Sequence, residues 1–164
     1  MVAASLKKKK YERLQKDQGI ITAIEERRSS LVRKGAGKKG RHLEQVVAAN
    51  IDQLLVVVAV KDPPYKKSLI ERYITSARSS GLDVIIAFNK ADLGFSERTI
   101  EDSKVYGELG YTVKFTSVLT GTGIDELAGL LRKKSTVLAG SSGVGKSSLV
   151  NALLNCDSAK TGEV

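Results

Sequence analysis

A strand that is apolar at every position must be covered on both of its faces, and residues 54–60, Leu-Leu-Val-Val-Val-Ala-Val, form such a run. It is followed by a stretch with helical spacing over residues 68–79, where Leu69, Ile70, Tyr73, Ile74 and Ala77 share one side, and by Gly81 as a helix stop. The unit then repeats three times. Residues 84–88 predict a strand leading to a helix over 97–109 that ends at Gly110. Residues 112–116 predict a strand leading to a helix opened by Thr122-Gly123-Ile124-Asp125, which resembles a capping box. Residues 136–139 predict a strand that passes through a glycine-rich turn into a helix over 146–154. Strand–helix repeats of this kind build an α/β fold with a mostly parallel, helix-covered sheet. Ligands of such sheets bind at the carboxyl ends of the strands, so the loops that follow strands are where chemistry is to be sought.

The loop after the last strand reads Gly140-Ser141-Ser142-Gly143-Val144-Gly145-Lys146-Ser147, a full match to the phosphate-binding pattern Gly-x-x-x-x-Gly-Lys-Ser/Thr. Its glycines let consecutive backbone N–H groups turn toward phosphate oxygens, and the helix that starts there adds the positive end of its dipole. Lys146 is placed to stabilise the β- and γ-phosphates, and the Ser147 hydroxyl to ligate Mg²⁺. The second strand ends in Asn89-Lys90-Ala91-Asp92. A carboxylate at Asp92 can accept from both the N1–H and the N2–H₂ of guanine, a donor pair that adenine lacks. Asn89 would tie this loop to the phosphate loop, and the stem of Lys90 would lie over the base. The third strand ends in Thr116-Ser117-Val118-Leu119-Thr120-Gly121, whose backbone N–H groups could face the guanine O6. Asp62, at the end of the first strand, has the position of a Walker B carboxylate but belongs to the strand before the base loop, and reads as structural.

Charge divides the chain. Of a formal net charge of +9, residues 1–45 carry 13 Lys/Arg against five Asp/Glu, while residues 46–164 carry 14 against 13. A basic segment such as this one, with Lys7-Lys8-Lys9-Lys10 and Lys38-Lys39, favours a polyanion, nucleic acid or anionic lipid, and a plain solvated surface is the equal alternative. Residues 1–18 read as irregular, residues 19–24 and 29–33 as two short strands, and Gly35, Gly37 and Gly40 as punctuation after them. The longest apolar run, seven residues, is far short of the roughly 20 needed to span a bilayer, and the N-terminus has no secretory pattern. A cytoplasmic protein with no membrane association is expected. One cysteine, Cys156, and one histidine, His42, exclude an internal disulfide and a Cys/His zinc site within the chain, so a metal would bind through oxygen.

Chain order adds a topological point. In Ras-like GTPases the phosphate loop precedes Asn-Lys-x-Asp; here Gly140 follows Asn89, which is a circular permutation. Three segments carry a family resemblance: residues 44–52 (Glu-Gln-Val-Val-Ala-Ala-Asn-Ile-Asp), residues 88–93 (Phe-Asn-Lys-Ala-Asp-Leu) and residues 140–151 (Gly-Ser-Ser-Gly-Val-Gly-Lys-Ser-Ser-Leu-Val-Asn). Together they resemble the small ribosomal subunit biogenesis GTPases over residues 19–164. The resemblance implies a circularly permuted Ras-like P-loop GTPase domain over 46–164, preceded by a partial OB-fold, RNA-binding segment over 1–45. It implies GTP or GDP with Mg²⁺ as ligands, the small (30S) ribosomal subunit and its rRNA as partners in late maturation, a monomer, and GTP hydrolysis. It extends the phosphate-binding set to Ser148 and assigns Asn89, Lys90, Asp92, Ser117, Val118 and Leu119 to guanine. Departures from the family pattern are equally specific. No Asp-x-x-Gly occurs, and Val118 stands where alanine is commoner. The threonine-bearing switch loop, the Asp-x-x-Gly loop and a zinc-binding C-terminal domain are expected beyond Val164, and the first OB strands are poorly matched before Gly19, so the chain reads as truncated at both ends. The catalytic residues are accordingly unassigned, and turnover by this chain is less secure than binding. Two other readings stay open: an adenine-nucleotide P-loop ATPase or kinase with a coincidental Asn89–Asp92 turn, and a nonenzymatic rRNA-binding fragment.

Overall fold

A computed structural model describes residues 9–15, 18–36 and 42–161. Five strands come first, β1 (Lys9–Gln15), β2 (Gln18–Ile24), β3 (Ser30–Ala36), β4 (His42–Ala49) and β5 (Gln53–Ala59). They are followed by α1 (Lys67–Arg78), β6 (Asp83–Asn89), α2 (Glu97–Glu108), β7 (Thr112–Thr116), α3 (Ile124–Leu131), β8 (Thr136–Ala139) and α4 (Lys146–Thr161). The last four strands form one parallel sheet in the order β7-β6-β5-β8. Because β8 returns to the far side of β5, the loop after β8 is brought beside the loops after β5 and β6, although it comes last in the chain.

The two faces of the sheet follow from the period of two along each strand. Leu54, Val56 and Val58 of β5, with Val84, Ile86 and Phe88 of β6, pack against Ile70, Ile74 and Ala77 of α1 and Tyr106 of α2. The alternate residues Leu55, Val57 and Ala59, with Ile85 and Ala87, pack against Ile124 and Leu127 of α3 and Leu149 of α4. Every residue of β5 is buried, as expected of a central strand covered on both sides. Gln53 joins that buried row because its side chain donates to the Leu130 carbonyl (3.3 Å) and the Thr136 hydroxyl (2.9 Å), which is why the strand starts one residue earlier than its apolar run.

Helix ends are set by local chemistry. α1 closes with Gly81 at φ +65° and the Leu82 N–H returning to the Ala77 carbonyl. The Ser96 hydroxyl caps α2 by accepting from the Thr99 N–H (3.2 Å). At α3 the expected capping box is absent: Gly123 is the cap residue at φ +67°, without a side-chain bond, and the Thr122 hydroxyl pairs with that of Thr120 instead. A Cβ at Gly123 would lie 2.1 Å from the Phe115 carbonyl oxygen, so the close approach of the chain to β7 dictates how this helix begins. α4 extends past the predicted residue 154 to Thr161.

The N-terminal third departs most from expectation. Residues 9–15, read as irregular, form β1, antiparallel to β2. What makes this a strand is main-chain pairing, with Lys10 and Glu25 in ion-pair contact at 3.6 Å, and not burial; Leu14, Ile20 and Ile21 are all more than half exposed. A pattern of buried positions could therefore not reveal it. β4, not foreseen as a strand, pairs antiparallel with β3 and runs across residue 45. Leu31 and Ala48 of this hairpin enter the α1 side of the core, and the Ser76 hydroxyl donates to the Val32 carbonyl (3.0 Å). Lys7, Lys8, Lys38 and Lys39 of the basic segment, and Gly37 and Gly40, lie outside the described residues.

One buried side-chain polar atom among the described residues has no hydrogen-bond partner, the Tyr106 hydroxyl. Removing an unsatisfied hydroxyl relieves its desolvation cost, so Tyr106→Phe is expected to stabilise the fold by about 1 kcal/mol in a urea melt at neutral pH. Burial, with the negative charges of Glu71 and Asp102 and the nearby Tyr65, pushes the Tyr106 phenol up to about 12. The unfolded chain loses this proton near pH 10 while the folded chain still holds it, so the tyrosine's contribution to stability declines as pH rises from about 10 toward 12. The phenylalanine variant should lack that part of the alkaline decline.

Candidate functional site

The predicted loops converge at the carboxyl end of the sheet, and Asn89 is the residue that joins them. It ends β6 at 2% exposure. Its amide Nδ2 donates to the Val144 carbonyl in the phosphate loop (2.9 Å), and its Oδ1 accepts from the Thr116 hydroxyl at the end of β7 (3.0 Å). Three loops separated by up to 55 residues are thus held by one side chain whose polar atoms are both satisfied. The tie expected between Asn89 and the phosphate loop is present in the structure.

The phosphate loop is shaped by close approaches that only glycine allows. A Cβ at Gly140 would lie 2.1 Å from the Val57 carbonyl oxygen, and one at Gly145, whose φ is +92°, would lie 2.5 Å from Asn89 Nδ2. The loop is consequently pressed onto β5 on one side and onto the base loop on the other, with Val144 buried beneath it. The Lys146 ammonium donates to the carbonyls of Gly140 (3.0 Å) and Ser141 (2.6 Å), which places a cation over the loop that precedes α4. Ser141, Ser142, Gly143, Ser147 and Ser148 are exposed along the loop and first turn of the helix. An oxyanion seated here would meet backbone N–H groups, a helix N-terminus and one ammonium. The cradle therefore fits phosphate, and the exposed Ser147 hydroxyl is an oxygen that would suit a hard cation such as Mg²⁺. Among the described residues no group of three or more His, Cys, Asp or Glu could hold a metal ion.

On the base side, Lys90 sits in the left-handed region at φ +61°, and a short 3₁₀ turn, Ala91–Leu93, follows. That conformation puts Asp92 at the rim, where its Oδ1 accepts from the Ser117 hydroxyl. The Lys90 ammonium donates to the Asp62 carbonyl, so its stem crosses between the base loop and the segment after β5. The loop after β7 differs from expectation in one respect. The Ser117 N–H donates to the Thr122 carbonyl (2.9 Å) and is not available to a base; Ser117 is buried and contributes its hydroxyl to Asp92. Val118 and Leu119 form the outward part of this loop, Leu119 at 84% exposure.

Sequence reasoning passed over a group on the α1–α2 side of this site. Asp102 of α2, at 6% exposure, accepts from the Tyr65 hydroxyl (2.9 Å) and from the Lys67 ammonium (3.0 Å), with Arg98 Nε at 3.8 Å. Burial alone would push the Asp102 carboxyl up, but the bonds from Lys67 and Tyr65 and the charges of Lys67 and Arg98 hold it below the usual carboxylate value. Nothing in an Asp on a mostly polar helix distinguishes it from a solvated residue until α1 is packed beside it.

Comparison with known proteins agrees with this geometry. The RsgA GTPase family model matches residues 24–164. The chain is 41% identical over 148 residues to the small ribosomal subunit biogenesis GTPase RsgA of Chlorobaculum tepidum, covering 89% of this chain and 48% of that protein. It is 36% identical over 162 residues to the protein of the same name from Histophilus somni, covering 96% of this chain and 44% of that one. The crystal structure of YjeQ from Thermotoga maritima superposes with a TM-score of 0.64 at 34% identity, over 82% of this chain and 45% of that one. The crystal structure of YloQ, described as a circularly permuted GTPase, superposes with a TM-score of 0.62 at 28% identity, over 86% and 46% of the two chains. The chain spans about half the length of the curated relatives it matches. The parallel α/β sheet with its base loop preceding its phosphate loop is the circularly permuted fold expected from the sequence.

Proposed function

The chain belongs to the RsgA GTPase family, and from that premise we propose that it binds guanine nucleotide at the joined ends of β6, β7 and β8, hydrolyses GTP, and acts in maturation of the small ribosomal subunit. The observation that carries the nucleotide reading is Asn89, whose buried amide bonds both the phosphate loop and the loop after β7. It makes base recognition and phosphate binding parts of one site.

Within this reading residues 140–148 cradle the phosphates and the Lys146 ammonium offsets their charge. Asp92, oriented by the Ser117 hydroxyl, accepts the two guanine donors; each carboxylate oxygen accepts more than one bond, so the Ser117 contact orients without saturating it. The stem of Lys90 covers the base, and the Val118 and Leu119 N–H groups face its O6. Ser147 would hold Mg²⁺, which would supply positive charge against the phosphates when bound. The basic residues of the first 45, among them Lys10 and Arg13 on β1, offer a surface for rRNA phosphates, consistent with an OB-type contribution from the N-terminal strands. No helix among the described residues is long and apolar enough to cross a membrane. Action on ribosomal subunits implies a cytoplasmic protein.

Competition titration of a fluorescent GDP with GDP, GTP, ADP and ATP in the presence of Mg²⁺ tests the reading. Guanine nucleotides are expected to compete at least about 100-fold better than adenine nucleotides, since adenine would bring no donor pair to the base-facing side of Asp92. Equal competition by ATP would replace the guanine assignment with an adenine-nucleotide P-loop protein. No binding of any nucleotide would favour a nonenzymatic RNA-binding role.

A further inference from the structure

The segment between β5 and α1, residues 60–66, lies between the base loop and the phosphate loop and is stitched to the base loop. The Val60 N–H donates to the Asn89 carbonyl (2.9 Å), the Lys61 ammonium to the Leu93 carbonyl (2.9 Å), and the Lys90 ammonium to the Asp62 carbonyl. Pro63 Cδ lies 3.6 Å from where a Cβ on Gly143 would stand, so the segment also runs close to the phosphate loop. These contacts fix only its first half. Its far end is fixed from another element: Tyr65 and Lys67 both donate to the buried carboxylate of Asp102 on α2, and the Tyr65 ring packs edge-on against Phe88, 5.4 Å between centroids, one residue before Asn89. Arg98 adds a second cation to the carboxylate and lies over the Tyr65 ring at 5.8 Å.

We infer that Asp102 is a positioning residue of the nucleotide site, clamping the 60–66 segment so that Lys90 and Asp92 are held in the geometry that receives the base. The inference rests on the guanine reading given above. Physically, a surface loop that has to meet a ligand loses affinity in proportion to the disorder it must give up on binding, and anchoring both ends of the segment removes that loss in advance. The carboxylate suits this task because it accepts from two donors at once, and because a buried, doubly bonded charge tolerates little movement. Asp102 does this without touching the nucleotide; it acts through Tyr65, Lys67 and the carbonyl of Asp62.

Two variants separate this role from simple stabilisation. Asp102→Asn keeps the shape and removes the charge that holds Lys67; Tyr65→Phe keeps the ring against Phe88 and removes one bond. Dissociation of a ribose-labelled fluorescent GDP is measured by stopped flow well below each variant's melting temperature, together with the ratio of GDP to IDP affinity and the melting temperature itself. IDP lacks the 2-amino group, so that ratio reports how well Asp92 is placed. Both variants are expected to release GDP about three- to tenfold faster and to narrow the GDP/IDP ratio. A lowered melting temperature with unchanged release and unchanged ratio would make Asp102 merely structural and overturn the inference. Should Asp102→Asn not fold, Tyr65→Phe decides alone. Failure of the parent protein to bind GDP would overturn the guanine reading and this inference with it, a result distinct from intact binding that the variants leave untouched.

Discussion

Asp92→Asn is expected to weaken GDP binding by about 100-fold, close to 2.7 kcal/mol, while strengthening binding of XDP. The reason lies in which oxygen is already committed. Oδ1 of Asp92 accepts from the Ser117 hydroxyl, and an asparagine keeps that bond only by presenting its carbonyl oxygen there. Its NH₂ group then faces the base where the second carboxylate oxygen had been. Guanine presents a 2-amino group at that position, so donor would meet donor, and the mismatch carries the cost of an unpaired buried polar group. Xanthine carries a carbonyl oxygen at the same place and keeps N1–H, so it pairs with both ends of the amide. Competition between GDP and XDP for the same fluorescent nucleotide reads both changes in one experiment. Unaltered GDP affinity would show that Asp92 does not contact the base.

Gly145→Ala should damage fold and ligand binding together. The backbone at Gly145 has φ +92°, which an L side chain adopts only with strain of roughly 1–2 kcal/mol, and the new methyl would stand 2.5 Å from Asn89 Nδ2. Asn89 cannot yield cheaply, because it is buried and bonded on both sides to Val144 and Thr116. Adding the cost of overpacking and of a disturbed buried bond gives a loss of about 3 kcal/mol, or about 10 °C in melting temperature for a chain of this size. Nucleotide affinity is expected to fall by at least about 100-fold, since the phosphate loop and base loop lose their common anchor. Gly129→Ala in α3 is the control: a Cβ there meets nothing within 4 Å, and a helical Gly-to-Ala change should stabilise by up to about 1 kcal/mol. Equal melting temperatures for the two variants would contradict the packing described around Asn89.

Much of this site was legible before any coordinates, because its chemistry is written in short contiguous strings placed at strand ends. Residues 140–147 specify their backbone through glycines and their charge through one lysine, and Asn89 to Asp92 follow directly on an apolar run. The strands at Thr112–Thr116 and Thr136–Ala139 have their predicted bounds, each being a short stretch rich in β-branched residues marked off by a glycine, Gly110 before the first and Gly140 after the second. β1 was not legible, because it pairs through the main chain while the side chains of Lys10, Glu12, Arg13 and Leu14 are exposed. For α3 the start was legible within residues 122–125 but its capping was not, because the Phe115 carbonyl excludes any side chain at Gly123.

The sequence by itself therefore determined the parallel α/β architecture and the residue types at each loop, for these depend on apolar period and on local backbone freedom. Which atoms of these loops and helices bond to one another was decided only by the tertiary structure. The order β7-β6-β5-β8 carries the last loop of the chain back beside the first, so that Asn89 finds Val144, Ser117 finds Asp92, and Asp102 finds Tyr65 and Lys67. Each of these bonds joins residues at least 25 positions apart, and hydrogen bonds reach only about 3 Å. No local pattern encodes such a pairing; it exists only once the hydrophobic burial of β5 has fixed the strands on either side.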